Sequence, residues 1–367
     1  MSTLIIKVEP IKSIVKHENS DNLSIAKIFD WEVVIRSGSY EVGQSVIYLP
    51  PDTVVSEDFE AKLFPEGSKV KLHKRRIRAT KIRGFVSAGM IVSNKEFSLN
   101  YVLENVSKYE PQASEMSKNM QVGQTKKVKP DIKAFVKYTD IENGKFYDRT
   151  LQDGEEVYIS CKLHGTSSRF GWFKTEHNTW YQKLLKFLRL SPEWTFAWGT
   201  RNVQIQSKLL KRHVGYKNES QGVDFGDVYT KMVYQYDLKE TIPKGYAIYG
   251  EIVGSGVQKG YNYGCGKDEH KFFCYDVYNV EEKRWLNYDE FEAFTIRYDI
   301  PVVPEMYVGP YSRDKIDEYL TVNPLSNEVN EGIVVRTTVE RSTHSLGRTI
   351  LKFINPEYYL QKTTEFH

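Results

Sequence analysis

Four apolar runs in the second half of the chain each carry charged residues, and this pattern narrows the fold more than any other feature. Ala247-Ile248-Tyr249-Gly250-Glu251-Ile252-Val253-Gly254 delivers a glutamate beside glycines, and Phe272-Phe273-Cys274-Tyr275-Asp276-Val277-Tyr278 is an aromatic run with one carboxylate. Glu331-Gly332-Ile333-Val334-Val335-Arg336 has opposite charges at its two ends, and Ile350-Leu351-Lys352-Phe353-Ile354 has a lysine at its centre. A charge inside an apolar strand is costly unless it is paired or bound to a ligand. Its repetition at Glu251, Asp276 and Lys352 implies strands converging on one polar cleft. A further run, Val157-Tyr158-Ile159-Ser160, alternates as a strand does. It leads into Cys161-Lys162-Leu163-His164-Gly165-Thr166-Ser167, so Lys162 falls at a strand end, just before a turn at Gly165. Trp198-Gly199-Thr200-Arg201-Asn202 likewise places Arg201 near a strand end.

A lysine at such a place can be the nucleophile of a nucleotidyl transfer, provided desolvation and nearby cations lower its pKa. Each residue also has a plainer reading. Lys162 can be a surface lysine before a turn, Arg201 an ion-pair partner and Glu251 a turn cap. Tyr275 can be core, and Lys352 can extend from an edge strand with its ammonium in water. Lys-x-x-Gly alone is a weak motif. The order of the segments is what carries weight.

The 367 residues suit two domains rather than one. A net charge of +3 does not mark a nucleic-acid binder, so local clustering has to carry that argument. Three cysteines, Cys161, Cys265 and Cys274, form no metal-binding spacing and no disulfide framework. The N-terminus lacks the apolar core of a signal peptide, and no uncharged window reaches transmembrane length. The expectation is a soluble protein of a reducing, intracellular (cytoplasmic) compartment, with no membrane partner and a viral source left open.

Residues 1–110 read as short strands: Leu4 to Val8, Ile25 to Ile28, Glu32 to Ile35, Ser45 to Leu49 and Met90 to Val92. Asp30, Ser37-Gly38-Ser39 and Pro50-Pro51-Asp52 punctuate them, which fits a small closed barrel. Lys69 to Arg83 partly alternates basic and apolar residues. As one strand it would put a basic face toward a phosphate backbone, and Lys74, Arg75, Arg76, Arg78, Lys81 and Arg83 are the candidate contacts of the run. A merely solvated face is the alternative. The polar stretch 111–130 is the expected linker, and 131–367 the second domain. Tyr181 to Leu190 reads as a short basic amphipathic helix ended by Ser191-Pro192, with packing against its domain as its expected role.

The ordered segments from Lys162 to Lys352 resemble motifs I, Ia, III, IIIa, IV and V of the covalent nucleotidyltransferases, the superfamily of ATP-dependent ligases and capping enzymes. Lys162-Leu163-His164-Gly165-Thr166-Ser167 is similar to the Lys-x-His-Gly-Thr-Asn box of double-strand-type RNA ligases. The likeness spans about residues 135–360. The barrel-like unit precedes the transferase unit and holds Ile82-Arg83-Gly84, an order that resembles the Deinococcus-type RNA ligases. His17-Glu18-Asn19-Ser20-Asp21-Asn22-Leu23 is similar to a stretch of tRNA-binding OB domains, or is a polar loop capping a barrel strand. The implied fold is α+β: an N-terminal OB-like β-barrel followed by an adenylyltransferase domain of antiparallel sheets and helices. Three positions depart from the pattern. Ser167 stands for asparagine, Arg336 for lysine, and Ile354 for a second motif V lysine, so Lys352 alone must serve there.

The resemblance implies an ATP-dependent RNA ligase. Lys162 would attack the α-phosphorus of ATP, pass AMP to an RNA 5′-phosphate, and a 3′-OH would then seal the strand. The ATP-binding set it implies is Lys162, His164, Gly165, Arg201, Glu251, Tyr275, Asp276, Arg336 and Lys352. Arg201 and Glu251 would hold the ribose and Tyr275 would stack on adenine, with Asp276 behind it. Lys352 and Arg336 would meet the α-phosphate. Glu331 would be the carboxylate facing Mg2+ or Mn2+, and Lys162, Lys352 and Glu331 the catalytic set. His164 would touch phosphate or a metal-bound water, or would brace the loop. The partner would be RNA with 3′-OH and 5′-phosphate ends, as a nicked duplex, met by a monomer. The other readings are a DNA ligase, a GTP-dependent capping-type nucleotidyltransferase, and a non-catalytic nucleic-acid-binding protein. The N-terminal place of the OB unit weighs against the first two. The intact Lys162, Glu251, Glu331 and Lys352 weigh against the third.

Overall fold

The computed structural model describes residues 3–68, 71–109, 135–175, 180–188, 191–205, 227–344 and 346–361. The expected linker, 111–130, lies outside the described residues, as do the start of the basic run at Lys69-Val70 and the end of the expected helix at Arg189-Leu190. No described helix is long and apolar enough to cross a membrane.

The N-terminal unit is built on Ser45–Leu49, paired antiparallel on one side with Lys7–Pro10 and on the other with Met90–Ser93. Its unbroken apolar sequence has a simple cause, because both faces are buried. Val46 and Tyr48 point into one core with Ala26, Ile28 and Val33. Ile47 and Leu49 point into another with Val55, Phe59 and Val102. A second sheet joins Ser13–Lys16, Leu23–Ile28 and Trp31–Arg36. The expected strands are present except that the first runs Lys7–Pro10 rather than Leu4 to Val8, and they form several small sheets rather than one closed ladder.

The basic run is not one strand. His73–Arg75 is a 3-10 turn with Lys74 and Arg75 in left-handed backbone, and only Ala79–Ile82 is extended, paired with Phe85–Ala88. His17 is buried and bonds the carbonyl of Ile82, while Asn19 donates to the carbonyl of Arg83. The His17 to Leu23 loop therefore pins the Arg83-Gly84 hairpin, which is the capping role.

The second unit holds two sheets. One, in spatial order, is Glu142–Asn143, Ile350–Ile354, Gly332–Thr337, Glu156–Lys162 and Glu305–Pro310; its pairings are antiparallel except the first. The other is antiparallel throughout: Gln204–Ile205, Trp194–Thr200, Thr166–Lys174, Tyr246–Gly254, His270–Asn279 and Arg284–Trp285. The chain crosses from the first sheet to the second through Leu163-His164-Gly165. The turn after Lys162 is thus the junction of the sheets, and the cleft opens beside it.

The two units share one core. Trp31, Phe29 and Tyr48 of the first pack with Cys161, Leu163, Ile354, Tyr358 and Tyr359 of the second. Phe146 lies 5.6 Å from Trp31 and 5.3 Å from Phe29, centroid to centroid. Ion pairs Lys12–Asp148, Arg313–Asp30 and Lys81–Glu357 rim this contact. The helix expected to pack on its domain, Trp180–Phe187, instead leaves Leu184, Phe187 and Leu188 exposed.

Candidate active site

Register decides which side chains meet. Lys162 pairs with Gly332, Ser160 with Val334, Tyr158 with Arg336, and Val334 with Lys352. Side chains two apart on a strand share a face. Tyr158, Ser160 and Lys162 therefore line one face with Val334, Arg336 and Lys352. In the second sheet Ser167 pairs with Glu251. A cavity of about 240 Å³ lies between the sheets. Lys162, Lys352, Glu251, Arg201, Tyr275, Ser167, Tyr158, Val334 and Arg336 line it, together with Tyr138 and Thr139.

Lys162 Nζ is 2.5 Å from Glu331 Oε1, and the Glu331 side chain is 8% exposed. Its other oxygen, Oε2, is buried with no hydrogen-bond partner among the described residues. An orphaned carboxylate oxygen in a buried place lacks an expected partner. A metal ion or metal-bound water would satisfy it. Among the described residues no three His, Cys, Asp or Glu side chains could hold an ion together, so the nucleotide's phosphates and water would have to complete the shell.

Lys352 has its pKa lowered to about 8, first by burial and then by the Lys162 ammonium. Glu251 is pushed up to about 8, chiefly by burial, with Glu331 adding repulsion against the pull of Lys162. Arg201 donates to the carbonyl of Thr139 and pairs with Asp140, while its Nε is buried with no hydrogen-bond partner among the described residues. The Tyr275 hydroxyl lies 2.8 Å from Ser167 Oγ, which fixes the ring against the cavity. Ser167, the departure from asparagine, thereby serves the aromatic wall.

Of the expected ATP-binding set, His164 and Asp276 are corrected as direct nucleotide contacts, and Arg336, which lines the cavity, is corrected as a contact of the α-phosphate. His164 turns away from the cavity: its Nδ1 lies 2.9 Å from the Tyr358 hydroxyl, and its ring meets Tyr261 edge-on at 4.9 Å. Its backbone N–H donates to the Tyr263 hydroxyl at 2.7 Å. Of its three candidate roles, bracing the turn is the one this geometry fits. Asp276 is fully buried and absent from the cavity wall; it accepts from Tyr138 and pairs with Arg336 and Arg348. Arg336 lies at the end away from Lys162, across from Tyr158, and is held by Asp276 at 2.7 Å rather than directed at the α-phosphate end. Gly165 contributes closeness rather than a side chain, since a Cβ there would lie 2.3 Å from the carbonyl oxygen of Ile252.

The basic set divides too. Lys74 and Arg75 are exposed, Arg75 with Glu57 at 3.6 Å, and Arg83 is exposed at the hairpin tip. Lys81, though exposed, is paired with Glu357. Arg76 is buried, bound to Asp52 at 3.0 and 2.5 Å and stacked on Tyr109 at 3.7 Å. It is structural. Arg78 is half-buried, with its Nε enclosed. Sequence reasoning missed Tyr138, Tyr158, Ser160 and Arg348. The alternation that put Lys162 at a strand end also put Ser160 and Tyr158 on its face, so those two were findable. Tyr138 and Arg348 had no sequence signal.

Two mostly antiparallel sheets joined at a lysine-bearing turn, with an N-terminal OB-type unit packed on them, define the class. The family model described as RNA ligase matches residues 155–354, and a model of an OB-fold domain matches residues 5–94. The chain belongs to the RNA ligase family. It is an enzyme of that family with an α+β fold, an OB-fold domain preceding the nucleotidyltransferase domain. No curated protein matches it. Among solved structures it is similar to the Naegleria gruberi RNA ligase with PPi, at 17% identity, with 98% of this chain and 99% of that one covered and a TM-score of 0.67. A variant of that enzyme with ATP and Mn gives 17% identity, 99% and 100% coverage and a TM-score of 0.69. Another, with AMP and Mn, gives 16%, 99%, 100% and 0.69.

Proposed function

We propose that this RNA ligase uses ATP and works through a lysyl-AMP intermediate. The observation that carries the reading is the Lys162–Glu331 pair at the sheet junction. It opens onto one cavity with Lys352, Glu251, Arg201 and Tyr275. The Naegleria gruberi structures with ATP or AMP and Mn, of the same fold, support it.

The cavity suits adenosine. Tyr275 and Val334 offer apolar faces for the base, and Arg201 and Glu251 offer a donor and an acceptor for ribose hydroxyls. Lys162 must lose its proton to attack. The adjacent Lys352 disfavours a second positive charge beside it. Attack on the α-phosphorus forms the N–P bond as the bond to pyrophosphate breaks, in line. Positioning and charge neutralisation do most of the work at such a centre. Lys352 offsets the negative charge growing on the α-phosphate oxygens. A divalent metal bound at Glu331 would neutralise phosphate charge. The AMP then passes to a 5′-phosphate of RNA, and a 3′-OH displaces AMP to seal the strand.

The favoured substrate is a nick with 3′-OH and 5′-phosphate ends in an RNA-containing duplex. Exposed Lys74 and Arg75 on the OB unit supply positive charge for its backbone.

The test is to mix the protein with Mg2+ or Mn2+ and ATP labelled at the α-phosphate, then denature. Label on the chain, lost in Lys162→Ala and in chelator, is expected. Folded protein that takes no label from ATP with either metal refutes the reading. Label from GTP instead would indicate capping-type chemistry.

A further inference from the structure

We propose that Tyr263, together with Gln258 and Asn262 on the same loop, positions the Lys162 nucleophile against Glu331 for the first step of the reaction. This rests on the lysyl-AMP reading given above. The need for such a part follows from where the pair sits. Lys162 ends its strand, and Glu331 stands one residue before the strand Gly332–Thr337. Lys162 with Gly332 is the last pair of their ladder, so the sheet's own bonds stop short of the turn after the lysine and of the segment before the glutamate.

One loop of the other sheet reaches both. Residues 255–269 join Tyr246–Gly254 to His270–Asn279. On the lysine side the Tyr263 hydroxyl accepts the His164 N–H at 2.7 Å, and Gln258 Nε2 donates to the Gly165 carbonyl at 2.9 Å. On the glutamate side the Asn262 N–H donates to Glu328 Oε1 at 3.1 Å, and the Tyr261 hydroxyl donates to the Val329 carbonyl at 3.1 Å. The loop is built to keep its shape. Tyr261 and Tyr263 are 3% and 4% exposed. The Tyr261 N–H donates to the Gln258 carbonyl and the Cys265 N–H to the Asn262 carbonyl, closing two tight turns. Tyr263 lies in left-handed backbone, at φ 50°. A bulky side chain is disfavoured there by its own Cβ. Such a conformation persists where its surroundings over-determine it, and such residues gather at working sites. What this one delivers is a hydroxyl for the N–H two residues beyond the nucleophile. Tyr263, Gln258 and Asn262 are absent from the wall of the nucleotide cavity, so they act through Lys162 as positioning residues.

In-line attack tolerates little misplacement, since about 1 Å can cost about a hundredfold. The bond to Lys162 forms in the first step and breaks in the second. In sealing, the 3′-OH attacks the RNA adenylate and AMP leaves, so no bond to Lys162 changes. A poorly aimed lysine therefore slows its own adenylylation and spares the sealing of a strand that is already adenylated.

The experiment separates the steps in Tyr263→Phe, which keeps the ring and removes the acceptor. Single-turnover labelling of Lys162 over a series of ATP concentrations reads the first step. Sealing of a nick with a synthetic 5′-adenylate, without ATP, reads the last. The maximum labelling rate should fall by about tenfold to a hundredfold, with the half-saturating ATP concentration moved by less than about threefold. Sealing of the adenylated nick should stay within about threefold of wild type. Gln258→Met, of similar size but without the amide, should repeat the pattern, and it alone decides if Tyr263→Phe does not fold. Labelling at saturating ATP within about twofold of wild type in either folded variant overturns the proposal. So does an equal fall in both steps, which marks a purely structural role. Both of those outcomes leave the ligase reading intact. A wild-type chain that takes no label from ATP overturns both.

Discussion

Gly165→Ala tests how tightly the nucleophile is placed. Gly165 has no left-handed backbone to lose, so the whole effect of a Cβ is steric. That Cβ would lie 2.3 Å from the Ile252 carbonyl oxygen, 2.8 Å from Glu251 Cγ and 3.0 Å from Val253 Cγ1. Ordinary contact begins near 3.4 Å, so the turn or its neighbouring strand must shift by about 1 Å, and an error of that size can cost about a hundredfold in rate. Neither side can yield harmlessly. The strand beginning at Thr166 pairs with Ile252, Gly165 accepts from Gln258, and its N–H serves the Glu251 carboxylate. The expected result is an adenylylation rate lower by about a hundredfold at saturating ATP, with a stability loss of about 1–3 kcal/mol from overpacking. Rapid-quench labelling gives the first quantity and the denaturant midpoint the second. Gly266→Ala is the control, because its Cβ meets only Glu269 Oε2 at 3.5 Å. Wild-type labelling by Gly165→Ala would refute the claim that this close approach sets the position of Lys162.

Two further outcomes separate structure from function. Arg76→Met leaves Asp52 without its buried partner and should cost about 3–5 kcal/mol. Lys74→Ala with Arg75→Ala should leave the melt unchanged and flatten the salt dependence of RNA binding by up to about two counterions. Glu251 binds a proton in the folded state between its ordinary 4.5 and about 8, because burial disfavours the carboxylate. Its contribution is fully present below 4.5 and is lost as pH rises through about 8. Glu251→Gln, neutral at every pH, should therefore show a smaller fall in melting temperature from pH 5 to about 8.5, and an unchanged slope would contradict it.

The chemistry of the cleft was legible because its charges interrupt apolar strands at Glu251, Asp276 and Lys352, where chain-local patterning cannot account for them. Strand alternation also placed Lys162 at a strand end before a turn, as the fold has it. Partnership was not legible, because it is set by register between distant strands. Arg336 and Lys352 are alike in sequence, each a cation on an apolar strand. Pairing sets Lys352 in line with Val334 and Ser160, on the face that carries Lys162, and sets Arg336 against Tyr158, where Asp276 holds it. His164 sits two residues from the nucleophile, yet the crossover between sheets turns it into a cage of tyrosines. The basic run looked uniform, but Asp52 draws Arg76 inside while left-handed backbone holds Lys74 and Arg75 out. The sequence by itself determined which side chains exist to hold a nucleotide and on which strands they ride. Tertiary structure decided which of them face it, because a charge is settled by what lies across the sheet, and the chain's order does not contain that.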